Sequence, residues 1–231
     1  MMLQTLTAGL APLGLDLSQQ TAQQLCAFGA AVVKQNEVMN LTAITEPEQV
    51  AKLHLLDSLS VLKTVDLRGK SLIDVGCGAG FPGVPVKIAC PEARVTLLDS
   101  LGKRMAWLEQ ILPQLGVEAE CITARAEEFA ASRRETYDYA TSRAVARLNI
   151  LLELTAPFVK VGGAVLAMKG AAAREELAEA KNAITKLGLK LESVEDFPVD
   201  GTSHSVIVLR KVKPTPAQYP RRYAKIKQSP L

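Results

Sequence analysis

The chain has 231 residues, 48% of them apolar, and a formal net charge of +3. That length and apolar content fit one large α/β domain, or one domain with an added helical piece, and exclude a disordered chain. No apolar run approaches the ~20 residues needed to cross a bilayer, and the N-terminus lacks the basic stretch of a signal peptide, so a cytoplasmic protein with no membrane partner is expected.

Residues 1–66 read as a helical N-terminal extension. "SQQTAQQLCAFGAAVVKQNEVMN" starts at a Ser18 cap, with Leu25, Phe28 and Val32 at helical spacing. After the loop "NLTAITEP", Pro47 suits a first helical position, ahead of a stripe at Val50, Leu53, Leu56 and Leu59. From residue 67 to 213 short apolar strands alternate with helices. "SLIDV", "RVTLLD", "EAECIT", "YDYATS" and "AVLAMK" are the expected strands, and a helix is expected from about Arg174 to Leu187. "LKLESVEDF" and "SHSVIVLRKV" close the chain's sheet as an antiparallel hairpin at one edge. The pattern predicts a doubly wound, mostly parallel α/β sheet. Residues 214–231 form a basic tail. From residue 210 onward the chain carries seven Lys or Arg and no acid, so residues 1–209 sum to −4. Such a tail points to a polyanionic partner or to simple solvation.

Cys26, Cys77, Cys90 and Cys121 are scattered without a CxxC pair, and His54 and His204 are the only histidines. A zinc site is therefore not expected, and buried reduced thiols are. "NLT" at residues 40–42 matches a glycosylation sequon, without consequence in a cytosolic chain.

The chemistry concentrates in "DVGCGAGFPG", residues 74–83, which holds two overlapping fingerprints. Gly76, Gly78 and Gly80 read as GxGxG, suited to a methyl donor. Gly78, Gly80 and Gly83 read as GxGxxG, suited to a dinucleotide. In a doubly wound sheet the ligand lies beyond the carboxyl ends of the strands, where this turn falls. A strand ending at Val75 makes Gly76 the first turn residue and favours GxGxG. Pro82 has no N–H to offer a pyrophosphate. Asp74 repels phosphate and tolerates a cation such as the sulfonium and ammonium of S-adenosylmethionine. Asp99, closing the second strand 19 residues after Gly80, is placed for ribose hydroxyls in either cofactor. Each acid has a structural alternative as a cap of the helix that follows. Gly83 is left for helix packing.

The segment after strand four, "TSRAVARLN", lacks the Asn/Asp-Pro-Pro-aromatic run common among exocyclic-amine methyltransferases, and no cysteine nucleophile lies in it. Guanine N7, a hydrogen-free acceptor nitrogen, needs neither group, and alignment with desolvation is enough for in-line displacement. Arg143 at the cleft mouth is a candidate for the donor's carboxylate or an RNA phosphate, with a surface arginine as the alternative. Arg147 and Lys169 are further RNA candidates on the same rim.

"LIDVGCGAGFPGVPVKIACPE", "VTLLDSLGKRMAWL", "ARAEEF", "SRAVARL" and "MKG" occur in order, with "NLTAIT" and "HLLDSL" before them and "YPRRYAKIKQSPL" at the end. Over nearly its whole length the chain resembles the bacterial 16S ribosomal RNA guanine-N7 methyltransferases, the glucose-inhibited division protein B family. The resemblance implies a class I methyltransferase fold using S-adenosylmethionine. It implies donor contacts at Gly76, Phe81, Ala126, Glu127 and Arg143, and agrees with Asp99 for the ribose. The implied partner is 16S rRNA or the small ribosomal subunit, with one guanine near the decoding centre as substrate. Cys77 departs from the serine or threonine of many members; its side chain is expected to face away from the donor. The tail varies in the family.

A guanine inside folded RNA presents N7 poorly, so a flipped base is expected. Phe81 is a candidate to stack on it. Tyr219 and Tyr223, interleaved with Arg221 and Arg222 and followed by Lys225, can stack bases and neutralise phosphates, or pack the tail onto the domain. The chain is expected to act as a monomer without a metal. Two other classes remain: an NAD-dependent oxidoreductase using GxGxxG and Asp99, and a non-catalytic RNA-binding module of the same fold.

Overall fold

The computed structural model describes every residue except Asp200. Seven strands form one sheet: β1 (Ser71–Val75), β2 (Arg94–Asp99), β3 (Glu120–Thr123), β4 (Tyr137–Arg143), β5 (Val159–Lys169), β6 (Leu189–Val199) and β7 (Thr202–Lys211). Their order is β3-β2-β1-β4-β5-β7-β6, with β1 to β5 parallel and β7 antiparallel to both neighbours. The sequence places the five parallel strands and the closing hairpin correctly. The hairpin folds back, so that β7 is interior and β6 takes the edge. Composition explains this: Val206 to Leu209 of β7 are all buried, whereas β6 exposes Lys190, Glu192 and Asp196, charges that blunt an edge strand.

Three element boundaries differ from expectation. β3 begins at Glu120, two residues late. β5 begins at Val159 and runs through a glycine pair, because β4 and β5 shift register there: a Cβ on Gly163 would lie 2.2 Å from the Asp138 carbonyl oxygen. The helix expected over 174–187 is two helices, α8 (Ala173–Glu179) and α9 (Lys181–Lys186).

The N-terminal region holds α1 (Met2–Leu10), α2 (Gln19–Asn36) and a helical stretch, α3, over 47–64. The Ser18 hydroxyl accepts the Thr21 N–H at 3.1 Å, capping α2 as its sequence predicts. Within α3, residues Val50–Leu56 form a π-helical turn. The wider turn changes the phase of the apolar stripe: Ala51 and Leu55 are fully buried, while Leu53 is half-buried and lines a cleft. The remaining helices are α4 (Gly83–Ala89), α5 (Gly102–Gln114), α6 (Ala126–Phe129), α7 (Leu148–Thr155) and α10 (Tyr223–Gln228). Among the described residues no helix is long and apolar enough to cross a membrane.

Each face of the sheet has its own core. On one, Leu6, Leu25, Phe28 and Leu55 of the N-terminal helices join Leu72, Leu97 and Leu108. On the other, Leu148, Leu152, Phe158 and Ile207 pack together with Tyr219 of the tail. Both chain ends are therefore layers of one molecule. The tail starts at the amino end of β4, where the Thr215 N–H donates to Glu135 at 2.8 Å. The Arg134 guanidinium donates to the carbonyls of Thr215, Pro216 and Tyr219.

Candidate functional site

The strand order reverses between β1 and β4, and the crevice there is where such sheets bind ligands. The turn after β1 opens it. The Gly76 and Cys77 N–H groups donate to the Leu98 carbonyl at 2.7 and 3.1 Å, so the strand ends at Val75. Gly76, Gly78 and Gly80 take φ of 73°, 57° and 97°, the left-handed region that favours glycine. Gly83 does not; it opens α4, and a Cβ there would lie 2.4 Å from Leu97 Cδ2. The backbone thus selects the GxGxG reading and leaves Gly83 to helix packing. The Cys77 thiol is buried against Met105 Sδ at 3.8 Å.

Asp74 is fully buried, and its Oδ2 accepts the Gly83 N–H at 2.7 Å. It serves as the cap of α4 rather than as part of the cleft wall, which corrects the direct-contact expectation. Burial pushes its carboxyl up to about 7. Its Oδ1 is the one buried side-chain polar atom without a partner among the described residues. Asp99 ties the turn to the end of β2: Oδ2 accepts the Gly78 N–H and Oδ1 the Leu101 N–H, each at 2.9 Å. Its oxygens keep second lone pairs for a hydroxyl. Ala126 and Glu127 lie one strand further out, after β3, where the Ala124 N–H donates to the Asp99 carbonyl at 3.1 Å. A buried acid under the turn, left-handed glycines above it and a second acid at the β2 end fit a cationic nucleoside.

A cleft of about 960 Å³ extends from this turn between β4, β5, β7 and the N-terminal helices. Arg143, at the end of β4, is held on several sides. Its Nη1 donates to Asp57 Oδ2 at 2.7 Å and to the Leu53 carbonyl at 2.9 Å, and its Nη2 lies 3.4 Å from His54 Nδ1. The next residue, Ala144, is left-handed with φ 57°, a strained conformation of the kind found at functional turns. The guanidinium sits 5.2 Å from the centre of the Phe81 ring, which also stacks on His54 at 4.7 Å. Phe81 is only 6% exposed. It supports Arg143 and His54 and has no free face to offer a base, which corrects its candidacy as the stacking residue.

Sequence reasoning missed Asp57, His54 and His204 as members of this site. Asp57 is buried and shared: Oδ2 takes Arg143, and Oδ1 is 2.8 Å from His204 Nδ1. Burial alone would raise its carboxyl, but the bonds from His204 and Arg143 outweigh that and hold it below the usual range. His204 is raised, chiefly by its bond to Asp57. His54 is pushed down to about 4 by burial and then by the Arg143 charge, so it is neutral. In the tautomer that satisfies the network, its Nε2–H donates to Thr42 Oγ1 at 2.7 Å and Nδ1 faces Arg143. The sequence carried no signal that joined them, since His204 and Asp57 lie 147 residues apart.

Other expected RNA contacts are occupied internally. Lys169 is 2.9 Å from Glu176 and donates to the Ala146 carbonyl. Arg147 is paired with Glu175 and Glu179. Arg221 donates twice to the fully buried Glu153 through its side chain and once through its backbone N–H. Tyr219 is buried in the core. Lys169, Arg221 and Tyr219 are structural in the free protein, because each fills a buried carboxylate or apolar site, whereas Arg147 and its two carboxylates form an exposed surface pair. Arg222 and Lys225 are exposed with no carboxylate partner among the described residues, and Tyr223 is half-buried beside them at the start of α10.

A sheet of this order, with β7 antiparallel and a GxGxG turn after β1, defines a class I S-adenosylmethionine-dependent methyltransferase fold. Solved structures agree on the fold. TYW2 of Pyrococcus horikoshii, in complex with MeSAdo, matches with a TM-score of 0.56 at 16% identity, over 68% of this chain and 62% of that one. A 16S rRNA (adenine(1408)-N(1))-methyltransferase of Catenulisporales acidiphilia matches with a TM-score of 0.53 at 16% identity, over 68% and 91%. The GidB family model, described as rRNA small subunit methyltransferase G, matches residues 21–205. The chain is 43% identical over 229 residues to the ribosomal RNA small subunit methyltransferase G of Alkaliphilus metalliredigens, covering 96% of each. It is 41% identical over 237 residues to that of Bacillus subtilis, covering 100% of this chain and 99% of the relative. The chain belongs to the rRNA small subunit methyltransferase G family. The oxidoreductase and non-catalytic readings have no support from these findings.

Proposed function

We propose that this chain methylates N7 of a guanine in 16S rRNA, with S-adenosylmethionine as donor. The carrying observation is the turn itself: three left-handed glycines in GxGxG register, tied by Asp99 to the end of β2, at the mouth of the cleft. When bound, the donor supplies a methyl group carried on a sulfonium. Gly76 and Gly78 let it approach the backbone, Asp99 accepts from ribose hydroxyls, and Ala126 with Glu127 borders the base. Asp74 sets the turn's shape from beneath and adds negative potential.

Guanine N7 carries a lone pair and no proton, so the acceptor asks the protein only for position and a dry surround. Leu53, Val145 and Met168 supply apolar wall, and Arg143 is pre-oriented by Asp57 to meet the acceptor or the donor. Neutral His54 need not act as a base. On this reading the chain works as a monomer, without a metal, in the cytoplasm, and Arg222, Tyr223 and Lys225 contact RNA.

The test uses labelled donor with naked 16S RNA, small subunits and assembly intermediates from a strain lacking the modification. Label at a guanine N7 in at least one substrate is expected. A folded, donor-binding protein that labels no guanine N7 would overturn the assignment.

A further inference from the structure

One cation lining the cleft has no carboxylate partner among the described residues. Arg143 and His204 share Asp57, Lys169 pairs with Glu176, and His54 is neutral. Arg104, in the first turn of α5, is half-buried, lines the same cleft and has no carboxylate partner among the described residues. Its Nη2 donates to the Asn40 carbonyl at 3.2 Å, which fixes the guanidinium plane. Its Nη1 would lie 3.8 Å from a Cβ on Gly78, and nothing else comes within 4 Å of that position. The space over Gly78 is therefore open and faced by the Arg104 guanidinium, while the Gly78 N–H itself is taken by Asp99. Asn40 belongs to the "NLT" stretch, whose Thr42 holds His54. One loop thus orients groups on both sides of the cleft.

We propose that Arg104 binds an anionic oxygen group over Gly78, either the donor's carboxylate or an RNA phosphate. This rests on the assignment of the donor to the Gly76–Gly80 turn. The sulfonium and ammonium of the donor are repelled by a guanidinium, so only its carboxylate can take this place. A phosphate has the same charge sign and the same paired acceptor geometry. Asp99, bonded to Gly78 from the other side, keeps the opposite, ribose end of the ligand apart from the anion.

The experiment compares full-length wild type, Arg104→Gln and Arg104→Lys by calorimetry with S-adenosylmethionine, with its decarboxylated analogue, and with 16S RNA over a salt series. If the anion is the carboxylate, Arg104→Gln weakens S-adenosylmethionine by about 10- to 100-fold and leaves the decarboxylated analogue unchanged. Arg104→Lys recovers part of that loss. If the anion is a phosphate, donor affinity is unchanged, RNA affinity falls, and the slope of log K against log salt drops by about one. Equal weakening of both donors, or no change in donor or RNA binding, overturns the proposal. These are binding measurements. A wild-type protein that binds donor and RNA without methylating N7 refutes the functional reading and leaves the role of Arg104 to be decided by the same data.

Discussion

Asp57→Asn tests the central polar network most directly. The carboxylate is 5% exposed at its side chain and faces two cationic groups, Arg143 at 2.7 Å and His204 at 2.8 Å. The amide keeps the shape, loses the charge and presents N–H donors to one of the two. Removing one partner of a buried pair costs about 3–5 kcal/mol. The Leu53 carbonyl remains to Arg143, so we take the low end, about 3 kcal/mol. For a chain of this size that lowers Tm by about 6–12 °C. The loss depends on pH. His204 is raised above its ordinary 6.5, so its share of stability is fully present below 6.5 and disappears as pH rises through the raised value. Asp57 is lowered from 3.8, so its share fades only as pH falls below that. Melting followed by circular dichroism at pH 6 and pH 9 should give a large gap between wild type and variant at pH 6. At pH 9 about half of it should remain, the Arg143 part. A gap of equal size at both pH values would show that His204 is not held by Asp57, and no gap at all would refute the network.

Five further outcomes follow from the same geometry. Gly83→Ala places a Cβ 2.4 Å from Leu97 and 2.9 Å from Asp74 Oδ2, so overpacking should cost about 1–3 kcal/mol in denaturant titrations. Gly78→Ala meets only Arg104 at 3.8 Å, so it should lose about 1–2 kcal/mol to backbone strain while impairing donor binding far more, as calorimetry will show. Asp74→Asn removes a buried carboxyl raised to about 7 from 3.8. Wild type loses stability as pH climbs through that interval and the variant does not, so the variant should melt higher above pH 7 and the two should converge below pH 4. Arg221→Ala leaves the buried Glu153 without its cation and with only the backbone N–H of residue 221, and should cost about 3 kcal/mol. Arg222→Gln should leave Tm unchanged and weaken binding to 16S RNA, and a reversed pattern would exchange the roles of the two arginines.

The glycine turn was legible in the sequence because its constraint is local: a strand ending at Val75 fixes which glycines must take positive φ. Asp99 was legible for the same reason, by its place at a strand end. The polar network was not. Asp57, Arg143 and His204 come from three distant segments, and only the sheet order, with β7 beside β5, brings them to one cleft. The basic tail was legible only as charge: which of its residues pack inward, against Glu153 and Arg134, depends on where α7 and β4 lie. Phe81 and Lys169 fail as exposed contacts for a related reason. Their positions at the cleft were correctly inferred, but the neighbours that cover them are far away in sequence.

The π-helical turn at Val50–Leu56 makes residue count a constraint in its own right. A π turn holds one residue more than the α turn it replaces. Deleting Leu55 or Leu56 lets the stretch tighten toward α geometry and brings His54 and Asp57 to i, i+2, positions that do not face each other. His54 would then no longer share a face with Asp57, even if both side chains were kept. A family member can therefore match every residue that touches Arg143 and still lose the seat beneath it, and an alignment gap here would mark that loss more surely than a substitution.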